Sequence, residues 1–165
     1  MKRTALVLAA TLLAAGPALA ATATSADRAF VAKVSQGGMF EVDAGKLAET
    51  RGSTQDVRDF ATAEVHDHML VGAKLKAISS SEGVTFASTP NAEFAGKMTT
   101  LKGLSGPAFD EAYMSDMAAL HDADGAAFLQ ESTNGGSPAY RAFGAETHRI
   151  VQRHIGAIHG TQPPR

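Results

Sequence analysis

Apolar positions recur three and four residues apart along most of this chain, the spacing that turns one face of an α-helix inward. The stretch from Val57 to Ile78 carries it most clearly, with Val57, Phe60, Ala61, Val71, Leu75 and Ile78 on one face. No segment alternates Val, Ile and Thr in the period of two that a strand requires, so the pattern predicts an all-helical chain.

The punctuation divides this pattern into four long helices and one short one. The first is predicted over 25–51 and ends at Gly52, with Phe30, Val34, Gly37 or Gly38, Glu41, Gly45 and Ala48 facing the core. Ser53-Thr54-Gln55-Asp56 has the form of a capping box and opens the second helix, which runs to about Ser80. So short a turn makes these two helices antiparallel. The segment from Ser79 to Ser105 has room for a short helix over 92–102 and is long enough to travel the length of a bundle. Gly106-Pro107 then opens a third long helix, with Phe109, Tyr113, Met117, Leu120 or His121, Asp124 and Phe128 as its inner stripe. Asn134-Gly135-Gly136 ends that helix. Ser137-Pro138 opens the last, whose stripe is Phe143, Thr147, Ile150 or Val151, His154 and Ile158. Two antiparallel hairpins joined by a long crossover describe a ferritin-like four-helix bundle.

Polar residues on these inward faces are the candidate chemistry. An unpaired carboxylate or imidazole in a core costs roughly several kcal/mol, so such residues imply partners or an ion. Each long helix offers one: Glu41, His68, His121 and His154. Counting about 1.5 Å per residue from the two turns places all four near mid-height of a bundle about 40 Å long. Three imidazoles and a carboxylate converging there could hold one Zn²⁺, Mn²⁺, Fe²⁺ or Cu²⁺. Asp67, beside the stripe, is better placed to orient a neighbouring histidine than to ligate. Tyr113, two turns before His121, could send its hydroxyl toward the site or keep it at the surface. Glu64 shares the face of His68 and is placed with Asp67 and Tyr113 around the ligands. His66, His148 and His159 fall off the core faces, and Asp110, Glu111, Asp116 and Asp122 belong to the solvated face of their helix.

Composition adds an address. Met1-Lys2-Arg3, an uncharged run and Ala18-Leu19-Ala20 read as a secretory signal peptide over 1–20, with cleavage after Ala20, a bundle over 21–160 and a flexible tail over 161–165. The run is shorter than the roughly 20 apolar residues a bilayer needs, and no later segment could span one. A periplasmic or secreted bacterial protein is the simplest expectation. There is no cysteine, hence no disulfide and no lipid-anchor site. Losing Lys2 and Arg3 widens the excess of 17 acidic over 15 basic residues, which argues against nucleic acid as a partner. Neither a homo-oligomer nor a protein partner is specified.

Phe30-Val31 to Gly38-x-x-Glu41-Val42, Phe60-Ala61 to Asp67-His68, Phe109-Asp110-x-x-Tyr113, His121 and His154 resemble the bacterial family called domain of unknown function 4142. The resemblance spans Asp27 to His159 and implies a ferritin-like, exported protein, but no reaction. It extends to Glu41, Asp67, His68, Tyr113, His121 and His154, whereas at Glu64 the family commonly has an apolar residue.

No Glu-x-x-His occurs, which disfavours the two-iron carboxylate centre of ferritin-type bundles. His-Glu-x-x-His, a Gly-x-Ser-x-Gly elbow and a phosphate loop are also missing. Two readings remain: an exported bundle with a single-metal site, and a non-enzymatic structural or partner-binding domain whose buried histidines and carboxylates form a hydrogen-bond network without metal.

Overall fold

The computed structural model describes residues 23–160 as five helices: α1 (Ser25–Arg51), α2 (Gln55–Ser81), α3 (Ala92–Gly103), α4 (Gly106–Asn134) and α5 (Pro138–Ile158). The expected signal peptide and its cleavage point after Ala20, and the expected tail over 161–165, lie outside the described residues.

Local chemistry sets the helix ends. Thr24 and Asp27 form a reciprocal capping box at the start of α1. The cap of α2 is Thr54, one residue later than the Ser53 box predicts, and its side chain accepts from the Val57 amide. Ser53 is diverted to Asp110: its amide and hydroxyl both donate to that carboxylate, as do the amide and hydroxyl of Thr54. Asp110 is therefore buried, not on the solvated face. It ties the start of α4 to the start of α2, and these hydrogen bonds hold its carboxyl below the ordinary range despite the opposing effect of burial.

α1 packs along α2 and α4 along α5; the two hairpins close on each other through α1 with α4 and α2 with α5, giving the ferritin-like bundle. α3 lies across α1 and α4, where Phe94 stacks on Phe40 at 5.1 Å between ring centroids. Close approach within each hairpin depends on glycine. A Cβ on Gly45 would come within 2.7 Å of Val65 Cγ2, and one on Gly144 within 2.8 Å of the Ser132 amide nitrogen and 2.9 Å of the Phe128 carbonyl oxygen.

The core has two apolar halves. One gathers Phe40, Phe60, Leu101, Phe109, Tyr113 and Met117 around the α1–α2 turn; the other gathers Phe30, Val31, Leu75, Phe128, Tyr140 and Phe143 near the α4–α5 turn. Between them lies a polar layer containing Glu41, Glu64, His68 and His121, all nearly or fully buried. Among the described residues, no helix is long and apolar enough to cross a membrane.

Candidate metal centre

The polar layer is built around α2. Glu64 and His68 stand one turn apart, so both point into the bundle, and α4 and α5 bring His121 and His154 to meet them. The three imidazoles form a near-equilateral triangle with ring centroids 5.3 to 5.5 Å apart. Glu64 lies against all three. Its Oε1 is 2.7 Å from His154 Nδ1 and 3.2 Å from His121 Nε2, and its Oε2 is 3.3 Å from His68 Nε2. His121 Nε2 and His154 Nδ1 are 3.1 Å apart. One ligand atom from each of Glu64, His68, His121 and His154 falls within 4.8 Å of all the others.

The outer nitrogen of every imidazole is engaged by an acceptor. His121 Nδ1–H donates to the Met117 carbonyl at 2.9 Å, the residue one turn earlier. His154 Nε2–H donates to Asp67 Oδ2 at 2.9 Å. His68 Nδ1–H donates to Glu41 Oε2 at 2.9 Å. A carbonyl can only accept, and an ionised carboxylate likewise, so each proton is assigned to the outer nitrogen. In a neutral His68 the inner nitrogen is then a lone pair aimed at Glu64, itself an acceptor, while His121 Nε2 and His154 Nδ1 have one proton to share between them only if one of the two rings is doubly protonated. Although the Glu64 oxygens sit close to these nitrogens, the directions do not make hydrogen bonds: Glu64 Oε1, Glu64 Oε2 and His68 Nε2 have no hydrogen-bond partner among the described residues.

The electrostatics carry the same imbalance. Burial opposes charge on Glu64, yet His68, with His121 and His154, holds its carboxyl far below the usual range. Burial opposes protonation of His68, but Glu41 and Glu64 on either side push it up to about 9. His121 is raised too, Glu64 overcoming its burial. Two buried carboxylates thus ask for positive charge at one point, which protons or a cation can supply.

Of the four ligands expected from the sequence, three meet here and Glu41 does not, its place being taken by Glu64. His68, His121 and His154 converge. Glu41 stands one step out, on the far nitrogen of His68 and 3.7 Å from His121 Nδ1. Glu64 takes the inner position because it precedes His68 by one helical turn, whereas Glu41 comes from the α1 side of that ring. Asp67 holds His154 and is itself gripped by Arg153 and His66; together they lower its carboxyl although burial would raise it. Tyr113 is fully buried between Phe60 and Phe109, and its hydroxyl has no hydrogen-bond partner among the described residues. Of the off-face histidines, His66 and His159 are exposed and half-buried His148 donates to the Gly125 carbonyl.

Sequence reasoning missed the Met117 carbonyl and Arg153. The first is signalled only by the one-turn spacing to His121, the second only by adjacency to His154.

Glu64 Oε1, His121 Nε2 and His154 Nδ1 lie 2.7 to 3.2 Å apart, close to the edge of about 3.3 Å expected for a tetrahedral ion with bonds near 2.0–2.1 Å, and with His68 added the set lies within 4.8 Å. Three imidazoles and a carboxylate, each ring fixed from behind, is a donor set suited to a divalent transition metal.

No curated protein and no solved structure matches the chain. A family model does, over residues 12–160, so the chain belongs to the family described as Domain of unknown function (DUF4142).

Proposed function

We infer that the protein is an exported metal-binding bundle that holds one divalent transition-metal ion on Glu64, His68, His121 and His154. A single observation carries this reading. With the outer nitrogens committed to Met117, Asp67 and Glu41, both Glu64 oxygens and His68 Nε2 are buried with no hydrogen-bond partner among the described residues, and the other two inner nitrogens meet each other at 3.1 Å. An uncompensated cluster of this kind deep in a core costs several kcal/mol, roughly, and a cation at its centre removes that cost.

Glu41, Asp67 and the Met117 carbonyl would then orient the rings and raise their basicity, while Glu64 would neutralise part of the ion's charge. Four protein ligands complete a tetrahedral ion such as Zn²⁺, so the arrangement favours holding the metal over exposing it to a reactant. An ion that prefers more ligands, Fe²⁺ or Mn²⁺, would keep positions for exchange.

Elemental analysis of untagged protein isolated from the cell envelope fraction tests the reading. One equivalent of a transition metal, lost on chelation and regained on reconstitution, is expected; protein without metal that also refuses Zn²⁺, Mn²⁺, Fe²⁺ and Cu²⁺ would contradict it.

A second reading rests on His68, which Glu41 and Glu64 flank closely enough to hold its pKa up to about 9. A doubly protonated His68 would supply the missing charge and make the layer a metal-free network that fixes helix register. The same reconstitution separates the two.

Export is supported by the basic start, the apolar run and the small residues at Ala18 and Ala20. Mass spectrometry of the exported protein should find Ala21 at its N-terminus; full-length chain retained in the membrane would overturn export.

A further inference from the structure

A cleft of about 390 Å³ opens between α1, α2 and the 82–91 crossover and runs in toward the polar layer. Val34, Val71, Leu75 and Phe86 give it apolar walls, and the buried residues Glu41 and His68 close its inner end. His68 thus stands between two spaces: the residue lines the cleft, and its Nε2 faces Glu64 Oε2 at 3.3 Å inside the layer. Two further clefts, of about 420 and 290 Å³, are lined by none of Glu41, Glu64, His68, His121 and His154.

Glycines keep the space in front of His68 open. In a helix interior a glycine costs about 1 kcal/mol relative to alanine, so its presence asks for a reason. Gly45 has one in packing, since its Cβ would come within 2.7 Å of Val65 Cγ2. Gly38 on α1 and Gly72 on α2 do not. An added Cβ would meet only Glu41 Oε2, at 4.0 Å, from Gly38 and nothing within 4 Å from Gly72. Both line the cleft, one on each wall, and a side chain at either would take space from it.

The other two imidazoles are backed differently. His121 is fully buried with its outer nitrogen on the Met117 carbonyl, and His154 is covered by Asp67, which Arg153 and His66 hold in turn.

We propose that this cleft is the route by which the metal ion enters and leaves the layer, with the His68 ring, free to swing into the open space, as its gate. The route rests on the metal site inferred above and adds to it a rate, because movement of the gate limits exchange. Glu41 Oε1, buried without a hydrogen-bond partner among the described residues and 3.7 Å from His121 Nδ1, lies between gate and layer. There an entering cation exchanges a water ligand for a carboxylate oxygen before it reaches the imidazoles.

Stopped-flow uptake of Zn²⁺ by chelated, untagged protein, and release of Zn²⁺ from the loaded protein to excess EDTA, test the route, with a zinc-responsive dye as readout. Gly72→Leu, which puts a side chain into the cleft from a position outside the ligand set, should slow uptake and release by the same factor, about tenfold or more, with one Zn²⁺ bound and Kd unchanged. Gly38→Ala, a smaller plug on the opposite wall, should slow both in the same sense. Gly96→Leu is the matched control: that α3 glycine also faces open space but does not line the cleft, and its rates should equal the parent's. Parent-like rates in both cleft variants, equal slowing in Gly96→Leu, or weakened affinity in place of slowed exchange would each overturn the route while one equivalent of bound Zn²⁺ leaves the metal site standing. Parent protein that takes up no Zn²⁺ would remove the site and the route together.

Discussion

At the scale of single residues the molecule turns on which nitrogen of each histidine carries the proton. His121 is the least ambiguous, because its Nδ1 faces the Met117 carbonyl and that oxygen can only accept. His121→Ala should abolish stoichiometric metal binding and with it the metal-induced rise in melting temperature. In metal-free protein the same change should cost about 1 to 3 kcal/mol, from the acceptors it leaves buried. His159→Ala is the control, since that residue is exposed at the end of α5. His66 serves less well: although exposed, it donates to Asp67, which in turn holds His154.

A second residue pair gives a pH signature far from the metal site. Glu131, near the end of α4, is buried beside Asp27, and burial together with the hydrogen bond it makes to that carboxylate raises it from its ordinary 4.5 to about 7. The folded protein therefore keeps a proton there that the unfolded chain releases. Its contribution to stability is complete below about pH 4.5 and is lost as pH rises toward about 7. Chemical denaturation across that interval should show parent stability declining relative to Glu131→Gln as pH rises. Parallel profiles for the two proteins would contradict the pairing.

The layer was only partly legible at this scale. His68, His121 and His154 could be read from stripe and height because each faces inward on its own helix. Glu41 and Glu64 face inward equally well. Which of them stands inside the histidine triangle depends on how α1 and α2 are rotated about their axes, a quantity that spacing within one helix does not contain. Asp110 was read as solvated for a related reason: its acceptors' partners, Ser53 and Thr54, are far away in sequence and meet it only when α4 lies beside the start of α2.

At the scale of elements, the helices themselves were the most legible part. Gly52, Asn134-Gly135-Gly136 and the two prolines at Pro107 and Pro138 mark ends through local backbone chemistry, and that chemistry acts in the same way in the fold. What the pattern could not supply is which glycines carry helix contacts. Gly144 does, with backbone atoms of α4 on top of it, so Gly144→Ala should destabilise the protein by about 1–3 kcal/mol through overpacking. Gly72→Ala is the opposite case: the new methyl meets open space, and the gain in helix propensity, up to about 1 kcal/mol, should appear as a higher melting temperature. Thermal unfolding of both variants checks the assignment, and a neutral Gly144→Ala would mean that α4 and α5 can separate without cost.

At the scale of the whole molecule, two apolar halves clamp a polar layer, and the layer is where the bundle departs from what packing alone needs. Buried ionisable groups are poor sources of stability unless their charges are balanced. The halves hold Glu64, His68, His121 and His154 in place, and in the proposed function an ion supplies the balance. Crystals of Zn²⁺-reconstituted protein, with anomalous diffraction collected on both sides of the zinc edge, address this most directly. The expected result is one strong anomalous peak within about 2.0–2.2 Å of His68 Nε2, His121 Nε2, His154 Nδ1 and a Glu64 oxygen. A peak confined to surface histidines such as His66 or His159, or no peak at all, would contradict a metal centre in the core.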